Sequence, residues 1–153
     1  MIKSIEVTAS NTGSSVRNTI TEELLGEVVD LTIKGTINSY DIIVLNQKMP
    51  LLQNLDLSEA SIVACDYPYY NSYCTQDNTI GHYMFYGTTL RNISLPKNIR
   101  GEIGIYAFSA CRYMRSINIP EGVVGISSYA FKADVTGNKC GLKSVTLPSS
   151  LKK

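Results

Sequence analysis

Few residues in this chain have the types and spacing that chemistry needs. His82 is the single histidine in 153 residues, so any nucleophile relay of the Ser-His-Asp or Cys-His kind would depend on it alone. It occupies a variable position of a repeated phrase, which assigns it to a turn or the surface rather than to general-base or metal-ligand duty. Glu22, Glu23 and Glu27 cluster as paired catalytic carboxylates do. No His or metal-binding group accompanies them, and Glu is rarely buried, so they read as a solvated helix face. The four Cys contain no C-x-x-C pair and hence no zinc-ligand spacing. Asp66, Asp77 and Asn78 lack the spacing of a calcium loop. Gly101-Glu-Ile-Gly104 lacks the third Gly and the Lys of a phosphate loop. The expectation is a non-enzyme, with no catalytic residue, metal or cofactor.

Two groups point to binding instead. Tyr67, Tyr69, Tyr70 and Tyr73 lie between Cys65 and Cys74, so four of the ten Tyr fall in one short stretch. Tyr offers a large amphipathic contact area at low entropic cost, which suits a recognition loop. The competing reading is a loop that folds back to cover an apolar flank. In an oxidising compartment Cys65 and Cys74 are candidates for a disulfide that closes the loop. The second group is Arg91, Arg115 and Lys143, one cation at the same register of three successive phrases. It would form a column at one edge of a sheet and attract an anionic partner, unless the long side chains simply splay into water.

The elements that position these residues follow from a repeat. Ile-Gly/Ser-x-Tyr-Met/Ala-Phe occurs at Ile80 to Phe85, Ile103 to Phe108 and Ile126 to Phe131, 23 residues apart, and takes in every Phe of the chain. A second phrase, Leu-x-x-Ile-x-Leu-Pro, follows each copy at Leu90 to Pro96, Met114 to Pro120 and Leu142 to Pro148. A fixed period of this size marks a solenoid in which each unit covers its neighbour's core. The alternation directs Ile93/Leu95, Ile117/Ile119 and Val145/Leu147 inward from parallel strands of one sheet, with Pro ending each strand. Tyr83/Phe85, Tyr106/Phe108 and Tyr129/Phe131 form ladders on the other side. The outward column Thr32, Asp56, Ser94, Asn118 and Thr146 is small and polar.

Upstream, the phrase recurs without its Pro at Val28 to Ile33 and Leu52 to Leu57. Lys3 to Thr8 alternates as a strand. Val16, Ile20 and Leu24 give the apolar stripe of a helix closed by Gly26. Tyr40 to Met49 reads as a second helix, capped by Asn38 or Ser39. The organisation is a single domain: an N-terminal cap over 1–60, an inserted Tyr-rich loop over 61–79, and regular repeats over 80–153. The step from Leu52 to Leu90 exceeds the regular one by about 14 residues, which locates the insertion.

Charge adds little. Residues 1–60 carry eight acids and four bases; residues 61–153 carry five acids and ten bases. Neither balance calls for nucleic acid. No apolar run is long enough to span a membrane, and no signal-peptide pattern opens the chain. The last strand phrase is followed by no polar cap, so the expectation is a longer natural protein or edge-to-edge self-association at that end.

Ile103-Gly-Ile-Tyr-Ala-Phe-Ser-Ala-Cys111, followed by Met114, Ile117, Ile119 and Pro120, resembles the BspA-like, or Treponema pallidum-type, leucine-rich repeats. The likeness covers about Ile80 to Leu151. It departs at Gly87-Thr-Thr, which replaces the Cys-bearing segment in the first copy, and in the third copy at the Asp134 to Lys139 insertion and the shifted Cys140. The resemblance implies an α/β fold, a right-handed leucine-rich repeat solenoid of parallel strands with a helix-containing N-terminal cap. It also implies an extracellular or cell-surface location in an anaerobic bacterium and adhesion or binding, to a protein or glycan, rather than catalysis. The alternative is a structural spacer or capping segment with no ligand of its own.

Overall fold

The computed structural model describes residues 1–133 and 141–152; the third-copy insertion Asp134 to Lys139 and Cys140 lie outside them. The N-terminal part runs β1 Ile2–Val7, α1 Ser15–Thr19, α2 Glu22–Leu25, β2 Asp30–Ile37, α3 Ser39–Gln47, β3 Asn54–Asp56 and β4 Ala60–Ile62. A hairpin follows, β5 Pro68–Tyr70 and β6 Tyr73–Cys74. The repeats contribute β7 Asn92–Ser94, β8 Gly101–Ile103, β9 Ser116–Asn118, β10 Val123–Ile126 and β11 Ser144–Thr146.

Parallel pairing dominates. β1, β2, β3 and β7 form one sheet in that order, and β4 pairs with the second half of β2. Leu31, Leu55 and Ile93 share a register and are buried, as the alternation predicts. On the outer face Thr32, Asp56 and Ser94 align, as do Asn118 and Thr146. Two positions earlier on the same face, side-chain hydrogen bonds run across the strands: Asn92 donates to Asn54 Oδ1 at 2.6 Å, and Asn54 donates to the Asp30 carboxylate.

The sheet is not continuous as expected. β9 pairs with β11 and β8 with β10 in separate two-stranded ladders, and β7 packs beside β9 without a ladder. Three-residue strands offer few ladder bonds, so much of the joining between turns falls to the connecting segments. Tyr83, Phe85 and Gly87 donate their N–H groups to the carbonyls of Ile105, Ala107 and Ser109, at 2.9, 2.9 and 2.8 Å. Phe108 and Ala110 repeat the pattern one turn on, to Ala130 and Lys132. The aromatic ladders form as predicted: Phe85–Phe108 and Phe108–Phe131 centroids are each 5.6 Å apart, with rings within 13° of parallel. Phe85 and Phe108 are fully buried, and Phe131 is half-buried. Leu147, expected inward, is 53 % exposed. Its turn has a described neighbour on one side only.

Two helical expectations separate. α3 forms where its pattern and cap place it, with Asn38 as N-cap and a full capping box to Asp41. The stretch from Val16 to Leu24 does not form one helix. It breaks at Ile20 and Thr21, both extended. Thr19, Ile20 and Thr21 are consecutive β-branched residues, stiff at χ1 and poor in helix interiors. The break brings Leu25 rather than Leu24 into the core beside Val16 and Ile20.

Asp41 ties the N-terminal part together. One carboxylate oxygen accepts from the Ser14 hydroxyl at 2.6 Å and the Val16 N–H at 3.0 Å; the other accepts from the Ser15 hydroxyl and the Asn38 N–H, each at 3.1 Å. The residue is fully buried. A buried charge of this kind persists only when it is fully hydrogen-bonded.

Candidate binding surface

The inserted segment is joined to the body at several points. It leaves the stack after β4 and rejoins at Asn78, whose N–H donates to Ile62 O at 2.9 Å. Ala60–Ile62 pairs with β2, so the expelled residues are 63–77. Thr75 is buried against the start of α3: its hydroxyl accepts from Ser39 N at 3.1 Å, and its N–H donates to Ser39 Oγ at 2.9 Å. Asp77 accepts from Ala64 N at 2.8 Å, across the base of the segment. Among the described residues no three of His, Cys, Asp and Glu gather as a metal site. The Cys65–Cys74 bridge is not formed in this structure; both are free thiols. The loop neck is closed instead by the Cys65 N–H bond to Thr75 O, at 3.1 Å.

The four tyrosines divide. Tyr69 is withdrawn from the surface: it is 6 % exposed, and its hydroxyl donates to His82 O at 2.5 Å. Burial pushes its phenol well above the usual range, with Tyr73 and Cys74 adding to the shift. It therefore acts as core and leaves the contact surface expected for it. Tyr67, 47 % exposed, stacks on Tyr40 at 4.5 Å. Tyr70, 37 % exposed, stacks on Tyr83 at 4.7 Å. Tyr73 is half-buried, with its ring edge-on to His82.

Tyr70 also completes something larger. Tyr83, Tyr106 and Tyr129 stack in succession at 5.0 and 5.3 Å, so Tyr70 becomes the first ring of a four-tyrosine column. At the far end Lys132 Nζ sits 4.7 Å over the Tyr129 ring. Tyr83, Tyr106 and Tyr129 all adopt left-handed backbone, φ 57°, 58° and 62°. For a bulky side chain this costs about 1–2 kcal/mol each. Ring stacking offsets it at about 0.5–1.5 kcal/mol per pair. The 23-residue spacing signals the ladder, but nothing in the residue types signals the backbone it requires.

His82 has a structural role. Its Nδ1 accepts the Ile105 N–H at 2.8 Å and so binds one turn to the next. Its neighbourhood is a cleft of about 480 Å³. One wall comes from the inserted segment, through Ser72, Tyr73 and Gln76; the floor is Gly81, Gly104 and Ser127; Glu102 stands on the repeat side. No motif signals this cleft, because its two sides come from separate stretches of chain that only the fold brings together.

The cationic column is only partly assembled. Lys143 donates its N–H to Arg115 O at 2.8 Å, in register, and the Arg115 guanidinium reaches Gly141 O at 3.3 Å. Arg91 is on β7's side of the break, where no ladder continues. All three side chains are exposed, and among the described residues none forms an ion pair. No helix among the described residues is long and apolar enough to cross a membrane. The family model for the BspA type leucine rich repeat region, in six copies, matches residues 78–153. No curated protein matches the chain.

Proposed function

Since the chain belongs to the BspA-type leucine-rich repeat family, through its residues 78–153, we propose that it is a non-catalytic binding or adhesion module. In this reading it is exported, displayed at a cell surface, and recognises a protein or glycan there. Its body is a right-handed solenoid, and residues 1–60 cap the first turn. The observation that carries the reading is the inserted segment. It holds Tyr67 and Tyr70 at the surface on a hydrogen-bonded frame, each backed by a second ring. Rigid aromatic anchors of this kind supply most of the energy of many interfaces.

The alternative, a spacer without a ligand, draws on the buried half of the same segment. Tyr69 and Thr75 serve the fold, which by itself accounts for an insertion at this point. Screening the purified chain against immobilised extracellular proteins and glycans separates the two. The binding reading expects a specific ligand whose affinity falls at least about tenfold in Tyr67→Ser and Tyr70→Ser, while melting shifts only slightly. An empty screen, or a ligand indifferent to both substitutions, leaves the spacer.

A further inference from the structure

We propose that a notch where the turns of β7 and β9 meet is a second contact surface, which takes one aliphatic side chain of an acidic protein segment. This goes beyond the binding reading above, because no residue of the inserted segment lines the notch. Its volume is about 140 Å³. A cavity of about 150 Å³ holds a benzene molecule, and small-ligand sites begin at roughly 300 Å³, so the space suits a single side chain.

The notch is written into one column of the repeat. The position just before each strand phrase holds Leu51, Thr89, Tyr113 and Gly141 in successive turns. Thr89 is therefore a short residue between two long ones. Leu51 from the turn before and Tyr113 from the turn after line the space with it, together with the buried Leu52. Leu51 is 52 % exposed and Tyr113 45 %. Two large apolar side chains left in water beside one short residue make a shape that a partner's side chain completes.

The charge around the notch has one sign. Arg91 lines it. The Arg112 guanidinium lies 6.0 Å from the centre of the Tyr113 ring. Arg115 and Lys143 continue the Arg91 column in the next two turns. All four cations are exposed, no carboxylate lines the notch, and among the described residues none of the four is ion-paired. Like charges side by side are mildly unfavourable, and a partner's carboxylates relieve them. These features together select the occupant. A bare polyanion would use the cations and leave Leu51 and Tyr113 wet. A purely apolar segment would cover Arg91 with no counter-charge, which is costly. A Leu or Ile flanked by Asp or Glu meets both demands: its side chain fills the space over Thr89, and its neighbours make charge-assisted bonds to Arg91 and the cations around it. Tyr and Arg are also the residue types that dominate interface energetics.

The test is an NMR titration of the isotope-labelled full chain. The probes are the acetylated, amidated peptides Asp-Asp-Leu-Asp-Asp, Asp-Asp-Ala-Asp-Asp and Lys-Lys-Leu-Lys-Lys, with a heparin fragment as a polyanion that lacks an aliphatic side chain. The acidic Leu peptide should shift the amides of Leu51, Thr89, Arg91 and Tyr113. The Ala peptide should bind about tenfold more weakly, the loss of a few buried carbons, and the Lys peptide should not bind. Arg91→Gln should weaken the Leu peptide about tenfold, the loss of one charge-assisted contact. Thr89→Leu, which fills the notch, should abolish the advantage of Leu over Ala. Both positions are exposed, so circular dichroism melting should be unchanged. Tyr67→Ser and Tyr70→Ser should leave the titration unaltered. Equal binding of the Leu and Ala peptides, or no shift with either, would overturn the notch and leave the reading of the inserted segment standing. Stronger shifts at the same amides with heparin would overturn the protein class of partner. Loss of peptide binding in Tyr70→Ser would move the contact to the inserted segment and overturn the second surface.

Discussion

The N-terminal third and the repeats solve one problem, joining short parallel strands, by different means. In the first region a buried carboxylate gathers α1 and α3, with four hydrogen bonds converging on Asp41. Its first two strands are the exception in length: β1 and β2 pair over six positions, whereas β3 and β4 have three residues each. In the second region every strand has three or four residues, and cohesion moves to stacked rings and turn-to-turn bonds. The difference teaches where each region is vulnerable. The first depends on one polar hub, the second on a periodic apolar column in which every ring but the terminal ones has two neighbours.

The comparison can be tested first at that column. Phe108→Ala removes the middle ring, buried between Phe85 and Phe131, and should cost about 3–5 kcal/mol in urea denaturation. Phe131→Ala, at a half-buried ring with one described ring neighbour, should cost clearly less. Equal losses would mean that the column is not the source of cohesion.

At the polar hub, Asp41→Ala leaves the donors of Ser14, Ser15, Val16 and Asn38 without their acceptor. The cost should be about 2–4 kcal/mol, since bonds to a charged group contribute about 1.5–3 kcal/mol apiece and some donors will find water. Hydrogen exchange should then rise first in 15–47 and stay low around Phe85 and Phe108. Uniform loss of protection across both regions would erase the distinction between them.

A smaller effect probes the junction. Tyr69→Phe deletes the hydroxyl bonded to His82 O and should destabilise by about 1 kcal/mol. The same residue sets an alkaline limit. Its folded pKa is raised above the unfolded value of about 10, so the neutral phenol is the form the fold favours. That contribution is complete below the unfolded pKa and is lost as pH rises toward the folded one. Absorbance titration near 295 nm should show the last phenol ionising together with the loss of the native circular dichroism signal, and that coupled phase should vanish in Tyr69→Phe.

The smallest effect belongs to the cationic column. Arg115→Ala should change stability by less than about 0.5 kcal/mol, as exposed charges usually do. Added salt should barely alter the wild-type melting point. A large stabilisation on adding salt would show that the three cations repel strongly enough to matter.

Much of this was legible in the residues. The Phe register gave the core of the repeats, because a period written three times leaves one way to stack identical turns. Asn38 and the pattern after it located α3, since capping chemistry is local. The first helix was misread because an apolar stripe at i, i+4 and i+8 does not show that three β-branched residues interrupt it. Tyr69 could not be told from Tyr67 or Tyr70: all three are tyrosines within four positions, and only the path of the hairpin decides which one turns inward. The cleft was invisible for a related reason. Gly81 and Gly104 announce tight backbone, but not that a wall arrives from residues 72–76.

The sequence by itself determined the family, the repeat period, the apolar columns and the small polar outer face, all of which depend on residue type at fixed spacing. Tertiary structure alone decided the break between β7 and β9, the left-handed tyrosines, the division of the loop between core and surface, and the meeting of residues 72–76 with the repeats at one cleft. Those features depend on which distant segments meet. Contact between residues far apart in the chain is set by the packing of the whole, and no local pattern of types encodes it.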